Sequence, residues 1–129
     1  MSRNKLKIMV LDDEPIVCKR LKPALEKLGY EVDTFTRSWE AMNQIGQTKY
    51  DIVITDLKME GIDGMRFLQE AKKAHPETEV IVITGFATME TAKESFKKGV
   101  FDFIAKPFNL SEIQQVVQKA EAKIRAAGN

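Results

Sequence analysis

A chain of 129 residues, 43% apolar and 30% charged, with a formal net charge of +1, suits one compact domain with an ordinary core rather than a disordered segment. The near-neutral balance gives no general pull toward nucleic acid or anionic lipid, and no apolar run nears the ~20 residues of a membrane-spanning helix. Cys18 is the single cysteine, which excludes an internal disulfide and a cysteine-based metal cluster and predicts a buried structural thiol.

The elements follow in chain order. In the opening stretch MSRNKLKIMVLDDEP, basic residues precede an apolar run. Ile8 to Leu11 is shorter than the ~7–15 residues of a signal-peptide core, and two aspartates close it at once. The expectation is a cytoplasmic chain forming one domain over residues 1–129, with a core of about 5–125 and no output domain. Lys7–Leu11 reads as a first strand. Val17, Leu21, Ala24, Leu25 and Leu28 then share one face of a helix that stops at Gly29. Pro23 inside it removes a backbone donor and predicts a kink.

Glu31–Phe35 alternates, as an edge strand does. Ser38 is the expected cap of a second helix carrying Trp39, Met42 and Ile45, with Trp39 and the methionines read as core or rim packing. Ile52–Thr55 is a continuous β-branched strand. Phe67, Leu68 and Ala71 mark a third helix that ends before Pro76. His75, the sole histidine, falls at that helix end, where capping is the usual role. Val80–Ile83 is a fourth strand; Met89, Ala92 and Phe96 mark the next helix, with Gly99 past its end. Phe101–Ala105 is the fifth strand. Ile113, Val116, Val117, Ala120 and Ile124 mark the last helix, with Asn109 and Glu112 spaced as a capping box. Continuous apolar strands alternating with amphipathic helices predict an α/β fold, a parallel sheet covered on both faces in flavodoxin-like order 2-1-3-4-5.

In such sheets, sites form at the carboxyl ends of strands near the point where strand order reverses. The strand ends here carry Asp12-Asp13, Asp56, Thr84 and Lys106. Taken singly, Asp13 or Glu14 caps a helix, Thr84 closes a turn and Lys106 faces water. Together they place three acids, a hydroxyl and an amine on one rim. Clustered carboxylates repel one another unless a cation sits among them. Lys106 supplies part of that charge, and a hard divalent ion with oxygen ligands supplies the rest. Mg²⁺ fits best, since one or two carboxylates plus waters and phosphate oxygens satisfy it. Asp56, in the middle of the row, is then the candidate nucleophile toward a phosphoryl group, with Thr84 and Lys106 in contact with its oxygens.

The segments VLDDEP, DIVITDLKMEGIDG, VIVITGFATMETA and GVFDFIAKPF, in this order and spacing, resemble the receiver domain of two-component response regulators over roughly Lys5 to Arg125. The last two look most like receivers attached to ATPase-type transcriptional activators, although these 129 residues carry no such module. The resemblance implies that Asp56 is the phosphoacceptor. Asp13, Asp56 and the backbone carbonyl of Lys58 would bind Mg²⁺ directly, and Asp12 through water. It makes Thr84 and Phe103 the switch pair, Lys106 the phosphate sensor, and Lys106–Pro107 a cis bond. It implies a sensor histidine kinase or phosphotransfer protein as donor. A downstream protein would dock on the fourth helix, fifth strand and fifth helix, where Glu90, Glu94, Lys97, Gln114 and Gln118 are the exposed candidates. The active form would be a monomer or a phosphorylation-dependent dimer, with no direct contact to nucleic acid or membrane. One departure is Glu60 after Met59, where the family usually has proline.

Three other readings compete. A phosphohydrolase with an Asp nucleophile, like the haloacid dehalogenase group, needs a second Asp two residues on, and that position is Lys58. A nucleotide- or flavin-binding module needs a glycine-rich phosphate loop after the first strand, and DDEP would repel phosphates. A receiver-like module that binds partners without phosphorylation has no need of the full acid, hydroxyl and lysine set. The chain would act as a switch, catalysing nothing beyond its own phosphorylation and slow dephosphorylation.

Overall fold

The computed structural model describes residues 5–58 and 63–128; Glu60 therefore lies outside the described residues. The elements run β1 (Lys7–Leu11), α1 (Pro15–Glu26), β2 (Glu31–Phe35), α2 (Ser38–Gln47), β3 (Ile52–Thr55), α3 (Gly64–Ala74), β4 (Glu79–Thr84), α4 (Met89–Lys97), β5 (Asp102–Ala105) and α5 (Leu110–Ala127). All strands are parallel, in the order β2-β1-β3-β4-β5, so the alternating second strand is indeed an edge.

The continuous apolar strands have a simple cause. Ile8 and Val10 of β1 pack into one core with Leu21 and Leu25 of α1 and Ile113 and Val117 of α5. Met9 and Leu11, one residue out of phase, pack into a second core with Ile45 of α2 and Phe67 and Leu68 of α3. A strand buried on both faces keeps apolar side chains at every position. Cys18 is buried, and its thiol makes weak contacts to the carbonyls of Asp12 and Phe35, as expected of a structural thiol.

Several local expectations change. Ser38 is the first residue of α2, with Arg37 in the capping position and no side-chain cap. Trp39 stands 56% exposed, so it does not pack in the core. Leu28 lies beyond the end of α1 and is 39% exposed, off the helical face assigned to it. The helix itself continues past Pro23, whose carbonyl accepts from Lys27 N–H at 3.0 Å. On α4, the stripe of Met89, Ala92 and Phe96 is not the core face; Ser95 is the buried residue. Gly29 and Gly99 take positive φ values of 98° and 93° beyond the ends of their helices, where a side chain would be strained. Among the described residues, no helix is long and apolar enough to cross a membrane.

Candidate functional site

The parallel ladders run one residue past the strand ends. Leu11 pairs with Thr55, and Asp56 N–H continues that ladder to the Leu11 carbonyl at 3.1 Å. Asp12 N–H bonds to the Phe35 carbonyl at 3.1 Å, and Lys106 N–H to the Thr84 carbonyl at 2.8 Å. Backbone pairing thus fixes the first residue beyond β1, β3 and β5 before any side chain is considered. The Lys106–Pro107 bond is cis.

The side chains of Asp12, Asp13, Asp56 and Lys106 converge at the ends of β1, β3 and β5. Asp12 is 2% exposed and Asp56 6%. Carboxylate oxygens of Asp12, Asp13 and Asp56 all lie within 4.8 Å of one another. Lys106 Nζ sits among these acids, 2.9 Å from Asp12 Oδ2, 2.9 Å from Asp56 Oδ2 and 2.7 Å from Glu14 Oε1. Burial pushes the Asp12 carboxyl up, and the hydrogen bonds from Lys106 and Glu14 N–H offset only part of that rise. Burial would push the Lys106 ammonium down, but its three carboxylate partners outweigh it and hold the pKa above the usual lysine range. Asp56 Oδ1 accepts from Leu57 N–H at 2.6 Å and Lys58 N–H at 3.2 Å. A closely spaced set of hard carboxylate oxygens is the donor chemistry a small divalent cation requires.

Thr84 is fully buried, and its hydroxyl accepts from Phe86 N–H at 3.0 Å. The Phe86 carbonyl accepts from Thr91 Oγ1 at 2.6 Å. Thr91 in turn closes a capping box with Thr88 at the start of α4. A chain of hydrogen bonds therefore runs from the β4 rim into α4. Phe103 is half-buried against the second core. Lys58 Nζ lies 4.9 Å from the centroid of the Phe86 ring, which is 51% exposed.

Two residues escaped the sequence reading as parts of this site. Glu14 occupies the capping position of α1 without capping it; its side chain goes to Lys106 instead. Only the strand order brings residues 14 and 106 together, so no local pattern signals the pair. Gly64, at the start of α3, is the other. A Cβ there would stand 2.5 Å from the Asp56 carbonyl oxygen and 2.6 Å from that of Leu57, so the backbone beside the phosphoacceptor candidate leaves room for glycine alone. Among the surface residues, Glu90, Glu94, Lys97 and Gln118 are exposed. Gln114 is half-buried and donates to the Ala24 carbonyl of α1 at 3.1 Å, so it belongs to the α1–α5 seam and not to the face assigned to it. His75 ends α3, its N–H bonded to the Ala71 carbonyl.

A doubly wound parallel domain with acids and a lysine at its switch point carries a donor set suited to a phosphoryl group or a divalent cation. The family follows from the chain itself: the response regulator receiver domain model matches residues 8–118, and the protein belongs to that family. It is 33% identical over 128 residues to the transcriptional regulatory protein ZraR of Salmonella typhimurium, covering 99% of this chain and 29% of that one. The chain thus spans less than a third of that relative's length. The CheY-like receiver domain protein from Methanospirillum hungatei superposes with a TM-score of 0.92 at 24% identity, covering 96% and 99% of the two chains, and shows the fold. A Burkholderia pseudomallei response regulator with a phosphorylated aspartic acid, calcium ion and citrate superposes at 0.82 with 26% identity, covering 96% and 73%. Receiver domains act as signalling switches rather than classical enzymes.

Proposed function

We propose that this chain is a phosphorylation-dependent switch in which Asp56 accepts a phosphoryl group from a phosphohistidine of a sensor kinase or phosphotransfer protein. An Asp56 carboxylate oxygen forms the new bond to phosphorus as the phosphorus–nitrogen bond breaks, and the imidazole nitrogen keeps the electron pair. With acetyl phosphate the leaving group is acetate. The observation that carries this reading is the grouping of Asp12, Asp13 and Asp56 within 4.8 Å beside Lys106.

Asp13, Asp56 and the Lys58 backbone carbonyl are the residues that would hold Mg²⁺ directly, with Asp12 acting through water. Bound there, the ion would offset the negative charge shared by carboxylate and phosphoryl oxygens. Lys106 contacts a phosphoryl oxygen by a charge-assisted bond. The Thr84 hydroxyl accepts from Phe86 N–H and keeps its own proton to donate to another phosphoryl oxygen. Pulling Thr84 toward the phosphoryl group strains the Thr84–Phe86–Thr91 chain, and Phe103 follows into the space released. The face of α4, β5 and α5 then meets a protein target, and the switch works in the cytoplasm where its donor would reach it, as a monomer or as a dimer formed on phosphorylation. The Burkholderia neighbour's phosphorylated aspartate and calcium ion lend weight to this chemistry.

Intact-mass measurement after incubation with acetyl phosphate tests the assignment. The expected result is one phosphoryl adduct that requires Mg²⁺ or Mn²⁺ and vanishes in Asp56→Asn. An undiminished adduct in that variant would place the acceptor elsewhere.

A further inference from the structure

An ammonium group has three N–H donors, and Lys106 Nζ has three carboxylate partners: Asp12, Asp56 and Glu14. Its donor capacity is full. While Asp56 is still an unreacted carboxylate, an incoming phosphoryl oxygen can be bonded by Lys106 only if one of these partners gives way. The three are unequal. The side chains of Asp12 and Asp56 are 2% and 7% exposed and are also held by N–H groups of Glu14, Leu57 and Lys58. The Glu14 side chain is 59% exposed, makes the shortest of the three contacts at 2.7 Å, and leaves its own helix uncapped. Released, Glu14 regains water at little cost, whereas a released Asp12 would be a buried charge without its cation.

We propose that Glu14 is a positioning residue that latches Lys106 in the resting state: its carboxylate occupies the lysine proton that a phosphoryl oxygen later takes. The latch rests on Asp56 being the phosphoacceptor, and it adds a regulatory feature to that site. Glu14 sets the rate at which anionic donors react, because each transfer must first displace it from Lys106. It also tightens the two-state character of the switch, since Lys106 is committed to carboxylates until the phosphoryl group arrives.

The test is a double-mutant cycle on the rate of labelling by acetyl phosphate at fixed, saturating Mg²⁺, read by intact mass. Glu14→Gln should label about fivefold faster than wild type, the size of one unit-charge interaction at about 4 Å in water. In a Lys106→Ala background the same substitution should leave the rate unchanged, because the latch has no partner. A Glu14→Gln acceleration that persists in Lys106→Ala would mean that Glu14 merely repels donors at the mouth of the site, and would overturn the latch. Equal rates for wild type and Glu14→Gln would overturn it too. Thermal melts of all four proteins establish folding, which the exposed position of Glu14 favours. The Asp56→Asn control separates the two levels: wild-type labelling that survives it refutes the acceptor assignment, whereas labelling that it abolishes, with no effect of Glu14, refutes the latch alone.

Discussion

At the scale of single residues, the candidate site gathers a few side chains whose neighbours are already in place. Under the proposed switch, Lys106 is the residue on which coupling would depend. Lys106→Ala should still label at Asp56, but phosphorylation should no longer shift the amide resonances of α4; unchanged shifts in the variant would remove Lys106 from the sensing role. Lys58 and Phe86 form the second pair. The Lys58 ammonium lies 4.9 Å from the Phe86 ring centroid, so the two residues that follow Asp56 and Thr84 by two positions meet. A cation–ring contact at an exposed site is worth roughly 0.5–1 kcal/mol. Together the pair would restrict the water that attacks the phosphorus, prolonging the phosphorylated state. A decay assay should show the Lys58→Asn, Phe86→Ala double variant losing its phosphoryl group about two- to fivefold faster than wild type. Equal decay would mean that neither side chain shields it.

At the scale of elements, α4 differs from the other helices. It buries Ser95 and leaves Met89 77% and Phe96 50% exposed. With little apolar surface against the sheet, its position depends on its first turn, where the Thr88–Thr91 capping box and the Thr91 bond to the Phe86 carbonyl tie it to the β4 rim. An element held by few buried contacts is one that a local change can move. Thr88→Ala should cost about 1 kcal/mol of local stability, seen as roughly fivefold faster amide hydrogen exchange confined to α4. Gly64 acts at the same scale, since α3 starts hard against the loop after Asp56. Gly64→Ala should destabilise the domain by about 1–3 kcal/mol in urea unfolding and slow labelling, because the atoms a Cβ would meet are backbone.

At the scale of the whole molecule, two tyrosines join elements far apart in sequence. Tyr30 donates to Glu121 Oε1 of α5 at 2.6 Å, and Tyr50 donates to Asp33 Oδ2 of β2 at 2.7 Å. Burial first, and then the carboxylate each phenol bonds, push both pKa values well above the usual 10.0. A group whose folded pKa exceeds its unfolded value keeps its proton in the native state after the unfolded chain has lost it. Its contribution is therefore complete below about pH 10 and declines as pH rises beyond it. Urea midpoints should hold from pH 8 to 9 and fall steeply between pH 10 and 11.5. Tyr30→Phe with Tyr50→Phe should flatten that fall.

How much of this was legible in the sequence depends on whether the governing physics is local. Strand and helix positions were, because a strand covered on both faces must be apolar throughout and a helix covered on one face repeats every three to four residues. The residues of the rim were legible as well, since the strand order set by five strand–helix units places Asp12, Asp56, Thr84 and Lys106 side by side. Tertiary structure decided what periodicity cannot see. Met89 and Phe96 repeat like a core stripe yet stand exposed, and Trp39 does the same on α2. Gln114 carries no sign that it bonds Ala24 across the α1–α5 seam. Glu14 follows two aspartates and precedes a proline, the pattern of a helix start, and nothing local reveals that its carboxylate goes to Lys106. That choice is made by packing: the lysine follows β5, 92 residues away along the chain, and its half-buried ammonium group takes the oxygens of Asp12, Asp56 and Glu14.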